Sequence, residues 1–119
     1  DDYFRKLKSE IMSKTFRGQA GTYDFKFEVS KIDIFSDVFN DGDLQVMLTA
    51  NVDSYGKCYV ENDDGVIYTD IDNATQDDEI GWEVLSEIKE TIEETLIKEY
   101  DFFNIFYINI EDTHFVGDF

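Results

Sequence analysis

The strongest pattern of hydrophobic and polar positions in this chain runs from Asp77 to Tyr100. At about 100° per residue, its apolar and acidic positions separate onto opposite faces of a helix. The apolar face carries Leu85, Ile88, Ile92 and Leu96, and the acidic face carries Glu79, Glu83, Glu87, Glu90 and Glu94. The pattern predicts an amphipathic helix that buries one face in a core and displays carboxylates on the other. Asp77 or Asp78 can cap its first turn.

The first third of the chain shows two further periodic segments. Asp1 to about Arg17 has apolar residues at helical spacing, which predicts a first helix, and a turn is expected from Gly18 to Gly21. Tyr23 to Ser30 alternates apolar and polar residues, as a strand with one buried face does. At Ser30-Lys31 the alternation shifts by one residue, which predicts a β-bulge or a break at that point.

The middle of the chain has the pattern of strands joined by turns. The predicted strands are Leu44–Val52, Lys57–Glu61 and Val66–Thr69, and the predicted turns are Asp37–Asp43, Ser54–Gly56 and Asn62–Gly65. Asp70–Asp78 is expected to be an acidic connection that leads into the long helix.

The segment after Tyr100 differs from the earlier strands. Phe102–Ile110 is apolar on both faces apart from Asn104 and Asn109. This pattern predicts a strand inside a sheet rather than at its edge. The tail Glu111–Phe119 is a candidate for a final strand.

The predicted element order is α-β-β-β-β-α-β. Strands joined by tight turns pair in antiparallel fashion, and two amphipathic helices can cover one face of the resulting sheet. We therefore predict the α+β class, with an antiparallel sheet of about five strands and two helices on one face. The length favours a single acidic domain over residues 1–119.

The net charge is −18, from 28 acidic and ten basic residues. A small domain remains soluble with a net charge of about 2 to 8 in magnitude. Because hydrophobic residues make up 42% and aromatic residues 16% of the chain, the acid is expected on a folded surface. Repulsion among the carboxylates opposes the compact state, so added salt is expected to raise the melting temperature.

The charges are unevenly distributed along the sequence. Five of the ten basic residues lie in the first 17 positions, as on an ordinary solvated helix. Asp37 to Glu79 instead contains twelve acidic residues and one basic residue, Lys57. A solvated helix face does not account for this excess.

Residues that bind metals or perform catalysis are scarce. Cys58 and His114 are single copies, which disfavours zinc sites and Ser-His or Cys-His catalysis. The acidic loops that begin at Asp37 and Asp70 do not have the spacing of an EF-hand. No apolar run is long enough to cross a membrane, and no signal-peptide pattern is present. We therefore expect a cytoplasmic protein that is not an enzyme and has no cofactor, no metal and no membrane association.

The sign of the charge disfavours direct binding to nucleic acid, because phosphates are bound by Lys and Arg. A basic protein partner, a nuclease or another nucleic-acid-binding protein, is the complementary hypothesis. In composition the chain resembles the DNA-mimic inhibitors that phages use against CRISPR nucleases and restriction enzymes. This resemblance implies an inhibitor of the anti-CRISPR kind. The residues expected to contact the partner are Asp63, Asp64, Asp70, Asp72, Asp77, Asp78, Glu79, Glu83, Glu87, Glu90 and Glu94.

Two alternatives remain open at this point. An immunity protein that neutralises a basic toxin nuclease has the same electrostatics and a different biological partner. A structural or adaptor domain of a larger protein could be acidic for solubility alone. The mimic hypothesis requires the acidic loops to lie beside the long helix in space.

Overall fold

The computed structural model describes residues 2–38, 44–100 and 105–116. Within these ranges the chain forms three helices and five strands. In chain order they are α1 (Asp2–Met12), β1 (Thr15–Ala20), β2 (Tyr23–Val38), β3 (Leu44–Glu61), β4 (Ile67–Asp70), α2 (Ile71–Thr75), α3 (Gly81–Tyr100) and β5 (Ile105–Phe115).

The five strands form one sheet around β3. Strands β1, β2, β3 and β4 are neighbours in that order, and each pair is antiparallel. The remaining edge of β3 is divided between β4, which pairs near its end, and β5, which pairs with its earlier part. The predicted α+β class, with a five-stranded sheet and helices, is confirmed. One pairing departs from the antiparallel pattern, because β5 runs parallel to β3.

The predicted extent of the first helix was wrong. Helix α1 ends at Met12, and Thr15–Ala20 is strand β1 rather than the end of a helix and a turn. The alternation of apolar and polar residues is interrupted in β1, because a glycine, Gly18, occupies an inward position where an apolar side chain is expected. A Cβ at Gly18 would lie 2.4 Å from Cζ of Phe25, so the absent side chain leaves room for that ring.

The phase shift at Ser30-Lys31 is confirmed as a bulge, since the pairing of β2 with β3 changes register between Val29 and Lys31. The predicted turn at Ser54–Gly56 was wrong, because β3 continues through it. Gly56 lies opposite Phe25, and a Cβ there would lie 2.4 Å from Cα and Cβ of Phe25. This glycine permits close approach of two strands rather than a turn.

Strand β5 lies at the edge of the sheet in the described part of the chain, where it pairs with β3 alone. The expected position inside the sheet was therefore wrong. Glu111 to Phe115 continues β5 and is not a separate strand. Phe102–Asn104, from the predicted strand, and residues 117–119 of the tail lie outside the described residues.

Both long helices pack on the same face of the sheet. Leu7 and Ile11 of α1 and Ile88 and Ile92 of α3 belong to one hydrophobic cluster with the inward residues of the strands. Helix α3 turns slightly from the predicted orientation, because Val84 is buried while Leu85 is only partly buried. Among the described residues, no helix combines the length and apolar character that crossing a membrane requires.

Candidate partner-binding surface

Asp77 holds the start of α3. Its Oδ1 accepts hydrogen bonds from the backbone N–H groups of Glu79 at 2.8 Å and Ile80 at 3.0 Å, donors that a helix start otherwise leaves unpaired. Its Oδ2 accepts hydrogen bonds from the Tyr68 hydroxyl at 2.6 Å and from Nδ2 of Asn62 at 3.0 Å. The hydrogen bond from Tyr68, followed by that from Asn62 and those from the backbone, holds the pKa of Asp77 well below its usual value. Asp77 is therefore confirmed as the cap, and internal contacts occupy its carboxylate.

Four glutamates, Glu83, Glu87, Glu90 and Glu94, lie along the solvent side of α3 and are called the glutamate line below. All four are exposed, and their carboxylates have no hydrogen bond or ion pair within the described part of the chain. At a rise of about 1.5 Å per residue, the line is roughly 16 Å long. It presents four unpaired negative charges to any molecule that approaches this side.

The hairpin loop Asn62–Gly65 lies against the start of α3. Besides the bond from Asn62 to Asp77, the backbone N–H of Asp63 donates to Oε2 of Glu79 at 3.2 Å. The loop is closed by Oδ1 of Asn62, which accepts from the N–H of Asp64 at 2.9 Å. The exposed Asp63 and Asp64 therefore lie beside the N-terminal end of α3, where Asp78 and Glu79 are also exposed. These loop acids extend the charge of the glutamate line beyond the helix.

Asp70 and Asp72 have local roles at α2. Asp70 is the N-cap of that helix, and its side chain accepts from the N–H of Asp72 at 3.3 Å. Oδ1 of Asp72 accepts from Nε2 of Gln76 at 3.1 Å. Within the ranges described, no hydrogen bond joins either carboxylate to α3, so these two acids are the least directly connected to the glutamate line.

The acidic turn predicted at Asp37–Asp43 is not located relative to this surface. Asp37 falls in β2, and residues 39–43 lie outside the described residues.

Trp82 is a feature of this side of α3 that sequence reasoning missed. Its side chain is 78% exposed, and Ile97, 47% exposed, also lies outside the buried face. The helical period contained this signal, because neither residue falls on the face of Ile88 and Ile92. An exposed tryptophan next to unpaired charge is typical of protein interfaces, where Trp is often a main contributor to binding.

The uncovered face of the sheet carries basic as well as acidic residues, unlike the α3 side. On the uncovered face of the sheet, Arg17 donates from Nε and Nη2 to the two carboxylate oxygens of Asp24 at 3.0 and 2.9 Å. These hydrogen bonds, donated by Arg17, lower the pKa of Asp24 and raise the pKa of Arg17. Lys26 and Lys57 lie on the same face by alternation. Residues 61–94, by contrast, contain thirteen acidic residues and one basic residue, Lys89.

The depressed pKa of Asp77 predicts a pH-dependent contribution to stability. A carboxyl whose pKa is lower in the folded state stabilises the fold above its unfolded pKa of about 3.9, and this contribution is lost as the pH falls through the folded pKa. We expect Asp77→Asn to lower the melting temperature clearly at pH 7, because Nδ2 of Asn cannot accept from the Tyr68 hydroxyl. The difference from the native chain should shrink as the pH falls below about 4.

Thermal melts followed by circular dichroism at several pH values measure this difference. Asp78→Asn is the matched control, because Asp78 is exposed and its carboxylate has no hydrogen bond among the described residues. An equal loss in both variants, or a difference that does not change with pH, would contradict the role assigned to Asp77.

The large acid excess also predicts how stability responds to salt. Raising sodium chloride from about 10 to 150 mM shortens the Debye length from about 30 to 8 Å, which screens repulsion among exposed carboxylates. We expect a gain of about 1 kcal/mol or more in the free energy of unfolding, or roughly 4 °C in melting temperature for a chain of this size. Melts across a salt series test this, and an unchanged or falling melting temperature would count against dense surface repulsion.

A reactive centre built on histidine or cysteine would have to use His114 or Cys58, which are single copies. His114 is exposed, with Nδ1 3.7 Å from Oδ1 of Asp53, and Cys58 is buried, which raises the pKa of its thiol. In the part of the chain that the structure describes, no three His, Cys, Asp or Glu side chains group as metal ligands would.

Comparison of the chain with protein-family models, with curated proteins and with solved structures gives no match.

Proposed function

We propose that this protein is a small cytoplasmic inhibitor that binds a basic nucleic-acid-binding protein and acts as a nucleic-acid mimic. A phage or mobile-element anti-defence protein, such as an anti-CRISPR, is the class that fits best. The observation that carries the proposal is the glutamate line, four exposed and unpaired carboxylates in a row, continued by the acids of the loop Asn62–Gly65.

The spacing of these charges supports mimicry of a phosphate backbone. Neighbouring members of the line are three or four residues apart, or about 5 to 6 Å along the helix. Each strand of DNA carries one phosphate per about 3.4 Å of helix axis. A groove of Lys and Arg that follows a nucleic-acid strand would therefore meet a sparser but similarly linear set of negative charges. Because long-range attraction speeds encounter, such binding would be fast and strongly salt-dependent.

The alternatives differ in how well they account for the surface. Acidity for solubility alone explains the charge but not the exposed Trp82 on the same helix. Trp82 therefore favours an interaction surface over a charge that serves only the solubility of a structural domain. An immunity protein against a basic toxin nuclease would use the same surface. A toxin gene immediately upstream of the gene for this protein would favour immunity over anti-defence inhibition.

Capture by the immobilised chain tests the proposal. The bait would be offered purified CRISPR nucleases, restriction enzymes and basic toxin nucleases, with an acidic enzyme of similar size as the control prey. We expect at least one basic enzyme to bind, duplex DNA to displace it, and affinity to fall about tenfold or more between 50 and 200 mM salt. Binding that is indifferent to salt and to DNA would overturn the mimic hypothesis.

A further inference from the structure

A groove between the end of β3 and the first turns of α3 has a composition that differs from the rest of the acidic surface. It has a volume of about 270 Å³, and Val60 and Ile80 contribute to its walls. Glu61 lies on the β3 side, and Glu83 and Glu87 of the glutamate line lie on the α3 side. Carboxylates from two separate elements therefore border one groove that also has apolar walls.

Tyr23 forms the inner part of this groove. The residue is only 9% exposed and belongs to the hydrophobic core, yet it also lines the groove. Within the described part of the chain its hydroxyl has no hydrogen-bond partner, and the oxygen is accessible rather than fully buried, so it is available to a ligand in the groove. Burial raises the pKa of Tyr23, and the charges of Glu87 and, more weakly, Glu83 raise it further. Near neutral pH the hydroxyl is therefore protonated, with a lone pair free to accept a hydrogen bond from a ligand.

These features together specify a cationic side chain with an apolar stem. Val60 and Ile80 can contact methylene groups, while the carboxylates on both sides attract positive charge. A guanidinium directs five N–H donors in a planar fork, so it can reach acceptors on opposite sides of a groove, whereas an ammonium is a compact charge. The groove volume corresponds to about nine waters at roughly 30 Å³ each, which exceeds the space a bare ion needs.

We propose that this groove binds an arginine side chain of the protein partner, with Glu61, Glu83 and Glu87 around the guanidinium and the Tyr23 hydroxyl as an acceptor. The partner's identity as a basic nucleic-acid-binding protein rests on the function proposed above. The preference of the groove for arginine rests on its own residues.

The probe for the groove is N-acetyl-arginine amide, titrated into the intact chain carrying ¹³C-labelled tyrosine. The uncharged N-acetyl-citrulline amide, of nearly the same shape, is the control ligand. We expect saturable shifts of the Tyr23 ring signals with arginine and none with citrulline. Tyr23→Phe, which removes only the hydroxyl, should weaken the arginine complex about three- to tenfold. An absence of saturable shifts at Tyr23 would overturn the proposal.

Two double variants separate the groove from the general attraction of the acidic surface. Glu83→Gln with Glu87→Gln changes the groove, and Glu90→Gln with Glu94→Gln removes the same charge from the same helix outside it. We expect the first pair to weaken arginine binding about tenfold and the second less than twofold. Equal effects of the two pairs would show a diffuse ion atmosphere and overturn the groove site.

The same variants in the capture assay distinguish the two proposals. Unchanged capture by Glu83→Gln with Glu87→Gln, while charge reversal of the whole line abolishes it, would overturn the arginine groove and support the inhibitor function. Saturable arginine binding by a chain that captures no basic enzyme would overturn the inhibitor function and support the groove as a cation site.

Discussion

Changing all four members of the glutamate line to Lys is expected to abolish capture of the basic partner while the fold remains intact. The four reversals replace attraction by repulsion along roughly 16 Å of α3, where close charge pairs dominate both encounter and complex lifetime. We expect affinity to fall about 100-fold or more. The fold should survive, because the four side chains are exposed and have no internal partners within the described part of the chain. Calorimetric titration of the captured enzyme measures the loss, and circular dichroism checks the fold.

The matched control moves the same change in charge to the other side of the molecule. Glu28, Asp33, Asp53 and Asp112 are on β2, β3 and β5, at positions that alternate with the buried residues. Reversing these four to Lys alters the net charge equally. Circular dichroism checks the fold of this variant too, because Glu28 accepts a hydrogen bond from Thr15 and Asp33 pairs with Lys8. If the control variant loses as much affinity as the variant of the glutamate line, net charge rather than the α3 surface governs binding.

Phe27→Ala is expected to cost about 3 to 5 kcal/mol in the free energy of unfolding. Phe27 is fully buried in the central part of β2, its ring stacks on Phe16 at a centroid distance of 5.1 Å, and Phe25 lies 6.0 Å away. The truncation leaves a cavity between the sheet and the helices that cover it. Because strand pairing fixes the backbone there, the site cannot collapse fully. Because the total free energy of unfolding of a domain is about 5 to 15 kcal/mol, this loss is a large fraction of it. Because repulsion among the acids also opposes folding, the loss should be most evident at low salt.

Urea denaturation at low and moderate salt measures this loss as a shift in midpoint at constant slope. Tyr59→Ala is the control, because Tyr59 is also an aromatic residue in a strand but is 60% exposed. A similar cost for both substitutions would contradict the central role of the Phe16–Phe27 stack.

Local periodicity predicted those features that depend on neighbours in sequence. The amphipathic α3, the cap at Asp77, the hairpin loop Asn62–Gly65 and the bulge near Lys31 all follow from residues a few positions apart. The errors arose where a residue's role depends on a distant partner. Gly56 was interpreted as a turn residue, although it makes room for Phe25 of the neighbouring strand. Strand β1 was missed because its apolar pattern is too short to predict a strand, and pairing with β2 is what stabilises it.

For the candidate surface, the sequence by itself determined the acid excess and the line of glutamates, because helical spacing alone aligns residues three and four apart. Only the tertiary structure decided that the loop Asn62–Gly65 lies against the start of α3, and that hydrogen bonds from Tyr68 and Asn62 occupy the carboxylate of Asp77. It also placed Tyr23, Glu61 and Glu87, which are far apart in the chain, around one groove. Such neighbours are set by how strands pair and helices pack, so no local pattern of residues contains them.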